Sequence, residues 1–217
     1  MDNKALYDLT SGLFVLGTLD GNRSVGCVVN TVIQTTAQPV TITFAVNKKN
    51  YTQACLKRYG NVAVSILSQD IDPEIIRIFG FSSSKDRNKF DEVPSQKTNI
   101  GLPYLKNGVT GYLQAKVIQT LDVHTHTVFV AELFDAVKLS EETALSYGYY
   151  HSVIKGKTPP TASGYIAEQP TASEAAYVCG VCGYRYPGRA AEFAALGEDY
   201  VCPICGAAKK LFVLTDK

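Results

Sequence analysis

Residues 177–183 read YVCGVCG and residues 200–206 read YVCPICG. The two segments align position by position as Tyr, Val, Cys, one variable residue, a β-branched apolar residue, Cys and Gly, an internal two-fold repeat. Two residues between paired cysteines let the chain turn so that both sulfurs reach one ion. Two such pairs give a closed tetrahedral thiolate shell suited to zinc or iron. The expected metal ligands are therefore Cys179, Cys182, Cys202 and Cys205. Gly183 and Gly206 follow the second cysteine of each pair, where positive φ would turn backbone N–H groups towards the sulfurs. Such bonds offset thiolate charge and tune a redox potential. Spacing alone leaves a redox iron and a structural zinc ribbon both open.

Outward from the repeat, the texture of the chain changes. Residues 159–176, PPTASGYIAEQPTASEAA, are rich in Pro, Ala, Ser and Thr and almost lack large apolar side chains, so they read as a tether. About ten such residues span at most roughly 35 Å when extended. The expected division is a first domain over 1–165, a linker over 166–176 and a metal domain over 177–217. The 217 residues suffice for one sizeable core and one small one. With 21 basic and 20 acidic residues spread along the chain, no tract marks a nucleic-acid or anionic-membrane surface. The apolar run near the N-terminus is too short for a membrane helix and follows no basic leader, so a cytoplasmic protein is expected. Cys27 and Cys55 read as ordinary buried residues.

The first domain reads as mainly β. GLFVLGTLDGNRSVGCVVNTVI carries two apolar runs around Asp20-Gly21-Asn22, a hairpin signal. VTITFAV, NVAVSIL, GYLQAKVIQTL and HTVFVAELFDAVKL continue the pattern. Two helices interrupt it. One begins near Asn50 with NYTQACLKRYG and closes on Gly60, and the other begins at Asp72-Pro73, an N-cap followed by proline at the first helical position. Several strands with two short crossovers predict a closed antiparallel barrel. There is no glycine-rich nucleotide loop. The start of the first helix, with Asn47, Lys48, Lys49, Asn50 and the Thr52 hydroxyl, has the composition of an anion site, although on these residues alone Asn50 reads rather as a plain N-cap and the lysines as solvated surface.

Two resemblances sharpen these readings. YVCGVCGYRYPG followed by EFAALGEDYVCPICGAAKKLF resembles a rubredoxin, with Tyr177, Tyr184, Tyr186, Phe193, Tyr200 and Phe212 as its small aromatic core. That implies a mononuclear iron. The interval between Cys182 and Cys202 is shorter than in typical rubredoxins, Tyr200 stands where Trp is usual, and the segment is not acidic. These departures bear on partner choice more than on the metal.

Upstream, NTVIQTTAQPVTITFAVNKKNYT, NVAVSIL, FGFSSSKDRNKF, HTHTVFVAEL and YYHSVIKGKTPPTASGY occur in the order of the flavin-reductase-like family of split-barrel FMN proteins, which they resemble. The resemblance implies that Asn30, Thr31, Val32 and Gln34 line the isoalloxazine and that Asn47, Lys48, Asn50, Tyr51 and Thr52 hold the phosphate. Ser83, Ser84, Lys85 and Lys89 would close over the phosphate or ribityl chain, and Tyr165 would cover a flavin face. His126 would stabilise the reduced flavin or orient a nicotinamide, the one catalytic role expected. It also implies a homodimer.

FMN accepts two electrons as hydride and releases them singly, whereas one iron carries one, so the pairing is a two-to-one electron converter. The combination resembles the high-molecular-weight rubredoxins. That implies electrons arriving from NAD(P)H, directly or through an NAD(P)H-dependent reductase, and leaving to a flavodiiron protein that reduces oxygen or nitric oxide. Two other readings stay open. One is an NAD(P)H-dependent flavin or ferric reductase, and the other an FMN-binding domain whose zinc ribbon docks a partner.

Overall fold

The computed structural model describes residues 9–154, 156, 158, 159, 162, 176–188 and 190–215. Tyr165 and the expected linker residues 166–175 lie outside that set.

The expected hairpin is β1 (Phe14–Asp20) and β2 (Arg23–Val29), paired from Phe14 opposite Val29 to Asp20 opposite Arg23. Gly21, at φ 60°, takes the tight turn between them. β3 (Ile33–Ala37) and β4 (Val40–Asn47) follow, then α1 (Tyr51–Tyr59) and β5 (Asn61–Leu67). The caps of α1 are those the sequence proposes. Asn50 Oδ1 accepts the Thr52 N–H, and Gly60 ends the helix in the left-handed region at φ 79°. α2 (Pro73–Phe81) likewise starts on Asp72, whose side chain accepts the Glu74 N–H.

The short pair β6 (Ser95–Lys97) and β7 (Pro103–Leu105) leads into the long hairpin β8 (Val109–Val123) and β9 (His126–Lys138). α3 (Tyr147–Ser152) comes next, a helix the sequence pattern alone does not announce. β10 (Ala176–Cys179), α4 (Ala190–Ala194) and β11 (Phe212–Thr215) complete the C-terminal part.

Seven strands form one sheet in the order β2-β1-β5-β8-β9-β4-β3, every neighbouring pair antiparallel. The sheet curls until β2 approaches β4, and its inner face becomes the barrel core. Leu16, Cys27, Phe44, Val64, Ala115 and Phe129 pack there, with Phe44 and Phe129 stacked at 5.3 Å. β1 buries its other face as well. Val15 points opposite to Leu16 and joins Ile75, Ile76, Phe79 and Phe90 in a second cluster beneath α2.

α2 is also fastened by a buried cation. Lys89, 1% exposed, donates from Nζ to the carbonyls of Gly26 and Phe79, tying the end of α2 to β2. Burial lowers its pKa from 10.5 to about 8. Between those values the unfolded chain holds a proton that the folded chain has released, so this group makes stability rise with pH across the window. We expect the natural chain to gain on Lys89→Met, by on the order of 1 kcal/mol or more, as urea unfolding is followed from about pH 7 to about pH 10.5. Parallel profiles for the two proteins would contradict it.

Candidate cofactor cleft and four-cysteine centre

A cleft opens where β2, β4 and β9 meet α2 and α3. Its apolar walls include Val28, Val29, Ala45, Val46 and Ile76, and its polar groups include Asn30, Asn50 and His126. Mostly apolar walls with a few polar groups converging on them are the character of a small-molecule site.

The sequence-derived candidates divide by location. Asn30, Asn50 and His126 share the cleft. His126 is the first residue of β9, opposite Asn47 in the register, with Nδ1 2.9 Å from Thr125 Oγ1. Thr31 holds the neighbouring loop to β4, its Oγ1 donating to the Ala45 carbonyl and accepting the Ala45 N–H. Val32 packs against the barrel core. Gln34 lies on β3, exposed, and bonds the Thr36 carbonyl.

Thr52, in the first turn of α1, is not among the residues lining the cleft. Its hydroxyl is fully buried without a hydrogen-bond partner of normal geometry, beside a positive helix end. It does lie near the Cys27 thiol, which burial pushes up to about 11 against the smaller opposing effects of Lys89, Thr52 and Asn50.

Two carboxylates fix α1 from either side. Asp20 accepts from Tyr51 at 2.6 Å, Arg58 at 2.9 Å and Arg23 at 3.0 Å. These bonds, Tyr51's foremost, hold its pKa at about 2. The Tyr51 hydroxyl is thus engaged at the β1–β2 turn. Asp122, near the tip of the β8–β9 hairpin, takes the Thr127 hydroxyl at 2.6 Å and Lys57 at 3.1 Å, and Lys48 stands 3.9 Å away. Gln53 bonds Thr127 from the other side, at 2.8 Å.

Ser83, Ser84, Lys85 and Lys89 are not among the residues lining the cleft. Ser84 Oγ accepts the Gly26 N–H and donates to the Gly26 carbonyl, while Arg23 takes the carbonyls of Ser84 and Lys85. Lys85 N–H bonds Ser83 Oγ. This loop fastens to β2. Tyr165 lies outside the described residues.

Pattern reading missed Phe81, Tyr147 and Tyr150, all of which line the cleft. Tyr147 bonds Thr158 Oγ1, which lies 3.2 Å from His151 Nε2. The aromatic run YGYYH was the available signal.

The four cysteine sulfurs lie within 4.8 Å of one another. Cys179 and Cys205 sulfurs are 3.7 Å apart and those of Cys182 and Cys202 3.5 Å. A tetrahedron of bonds about 2.3 Å long has edges of about 3.8 Å, so the spacing suits one ion. The two-fold repeat survives in three dimensions. Cys179 N–H bonds the Tyr184 carbonyl as Cys202 N–H bonds that of Ala207, and Gly183 and Gly206 return to the carbonyls of Cys179 and Cys202. Those glycines have φ 74° and 70°.

Burial raises the Cys182 thiol and pushes Cys205 up to about 11. Burial also works to raise Cys179, yet N–H groups of Cys182 and Val181 outweigh it and set this thiol below its ordinary value. A bound cation would reverse the burial penalty and hold all four as thiolates. Phe193, stacked on Tyr177 at 4.3 Å and 4.8 Å from Phe212, fills the core beside the sulfurs.

Residues 6–156 match the model of the flavin reductase like domain. The chain belongs to that family. It is 36% identical to the high molecular weight rubredoxin of Moorella thermoacetica, over 98% of this chain and 99% of the relative, which takes in the four-cysteine segment beyond the family match. The ferric-chelate reductase (NAD(P)H) of Archaeoglobus fulgidus is 38% identical over 76% of this chain and 98% of its own length. Among solved structures, a flavin reductase domain protein from an Arthrobacter species superposes with a TM-score of 0.59 at 20% identity, covering 66% of this chain and 87% of that one. This last likeness speaks for the fold alone. The chain therefore pairs a flavin reductase-like fold with a rubredoxin-like four-cysteine metal site.

Two substitution experiments follow. Thr52→Ala with Lys48→Ala should weaken FMN binding tenfold or more, measured by flavin fluorescence titration, since a charge-assisted hydrogen bond contributes about 1.5 to 3 kcal/mol. Unchanged affinity would move the phosphate elsewhere. Cys202→Ser should abolish or badly distort the metal centre in metal analysis and absorption while flavin stays bound. Equal loss of flavin from a folded variant would join the two sites into one folding unit.

Proposed function

We propose that this chain is an electron-transfer protein with FMN in the cleft and one iron on Cys179, Cys182, Cys202 and Cys205. Electrons enter from NAD(P)H, directly or through a reductase, and leave from the iron to a flavodiiron-type oxygen or nitric oxide reductase in the cytoplasm. The observation that carries the reading is the occurrence in one chain of a mostly apolar cleft that reaches Asn50, the N-cap of α1, and a cluster of four cysteine sulfurs spaced for one ion. The near full-length likeness to a high molecular weight rubredoxin supports iron over zinc and supports the division into domains 1–165 and 177–217.

In this reading Thr52 and the α1 N-terminus receive the phosphate, with Lys48 supplying charge beside it. Val28, Val46 and Ile76 exclude water from the ring system, and Asn30 gives hydrogen bonds at its polar edge. Bound FMN supplies hydride acceptance and single-electron release. His126, which lines the cleft, would stabilise negative charge at that edge or orient a nicotinamide. A homodimer is supported by β3, an edge strand whose five residues are all exposed, and by the exposed apolar side chains Ile118, Leu121 and Val123 at the projecting end of β8.

The ferric-chelate reductase likeness favours one alternative, an NAD(P)H-dependent reductase with the iron centre as its outlet. Absorption and stopped-flow kinetics test both. The purified protein should show flavin bands together with ferric-thiolate charge transfer, and the flavin should bleach before the iron when NADH or NADPH is mixed in. A flavin-only spectrum with stoichiometric zinc would overturn the electron-transfer reading. Bleaching only after an added reductase would assign the donor to that partner, and rapid turnover of ferric chelates would favour the alternative.

A further inference from the structure

Phe81, the last residue of α2, belongs to both sites. It lines the cleft, and it is 8% exposed because it also packs in the buried cluster of Cys179, Cys182, Phe193, Cys202 and Phe212. One helical turn earlier, Arg77 points the same way. Its Nη1 donates to the Cys205 carbonyl at 3.0 Å, across 128 residues of sequence. Glu74 takes the other side of the guanidinium, Oε2 accepting from Nε at 2.6 Å and Oε1 from Nη2. The arginine is thereby aimed. Ile76 and Gly80 on the same helix form the adjoining cleft wall.

We propose that α2 is the bridge between the two cofactor sites. Phe81 and Arg77 seat the chain's own four-cysteine segment against the cleft, so that electrons pass within one chain by way of the Phe81 contact and the Cys205 edge of the metal centre. The proposal rests on reading the cleft as the flavin site and the thiolates as an iron site. Each transfer takes one electron from flavin reduced by a nicotinamide hydride and converts ferric iron to ferrous, with all four iron–sulfur bonds kept. Two transfers, after each of which the ferrous iron gives its electron to an external one-electron redox protein, return the flavin to its oxidised state and release its proton. Arg77 is a positioning residue in this scheme. Its charge beside Cys205 also favours the ferrous centre, which carries one more negative charge, so losing it lowers the iron potential.

The test uses the full-length protein loaded with FMN and iron, in its natural form and as Arg77→Glu, Arg77→Ala and Arg77→Lys. Arg77 is partly exposed, so these variants should fold. Small-angle scattering reads docking without any turnover, redox titration reads the iron potential, and stopped flow reads iron reduction after the flavin is reduced. We expect Arg77→Glu to enlarge the molecule, lower the iron potential and slow the concentration-independent iron reduction tenfold or more. Arg77→Ala should do so less, and Arg77→Lys should retain both the compact form and the rate to within about threefold.

Unchanged scattering and rate in Arg77→Glu overturn the proposal. A larger particle with an unchanged rate overturns the route, because the electron would then travel without the docked contact. Absence of flavin bands or of ferric charge transfer in the natural protein is failure of the cofactor reading instead. In that event scattering of the same samples still decides whether Arg77 docks the segment.

Discussion

Burial of β1 on both faces is the constraint on which the rest of the arrangement depends. Leu16 completes the barrel interior, and Val15, one residue earlier, needs cover on the outside. The apolar face of α2, with Ile75, Ile76, Ile78 and Phe79, supplies that cover. Full burial of side chains of this size contributes about 1.5 to 3 kcal/mol each, far more than the exposed ion pairs on the same helix. The position of α2 is therefore set by the core. Its cleft-facing residues and Arg77 are carried to their places by packing elsewhere on the helix.

The opposite side of the cleft is fixed by charge. α1 is short and contributes few residues to the barrel core, so its N-terminus would be loosely placed by hydrophobic contact alone. Asp20 and Asp122 compensate by gripping it at Tyr51 and Arg58 on one flank and at Lys57 on the other. Single exposed ion pairs contribute little, but several sharing one carboxylate, with a tyrosine hydroxyl among them, define an orientation. The helix end beside Thr52 thus faces the cleft while the flanking cations are partly neutralised.

Local features were legible in the sequence. The caps Asn50, Gly60 and Asp72 act through bonds within a few residues, and the metal knuckles act through a spacing of two, so a linear reading finds them. Strand alternation gave the barrel because its period is local too. Residues whose role depends on distant partners were not legible. Lys89 is expected, by resemblance alone, over the phosphate or ribityl chain, and nothing beside it in KDRNKF indicates that β2 and the end of α2, 63 and 10 residues away, enclose it. Ser84 is drawn to Gly26 in the same way. Phe81 closes an apolar helix, and nothing near it in sequence indicates that its ring meets a cluster formed 98 or more residues later.

The α2 contact joins two kinds of interaction. One hydrogen bond from a charged donor is worth about 1.5 to 3 kcal/mol, and burial of one phenyl ring about the same, so the pair sums to about 3 to 6 kcal/mol before ordering costs. The ring supplies contact without direction, whereas the guanidinium supplies direction, because Glu74 holds it from the other side while Nη1 meets the Cys205 carbonyl. The helix that closes the outer face of β1 thereby also sets where the Cys205 edge of the four-cysteine centre meets the first domain.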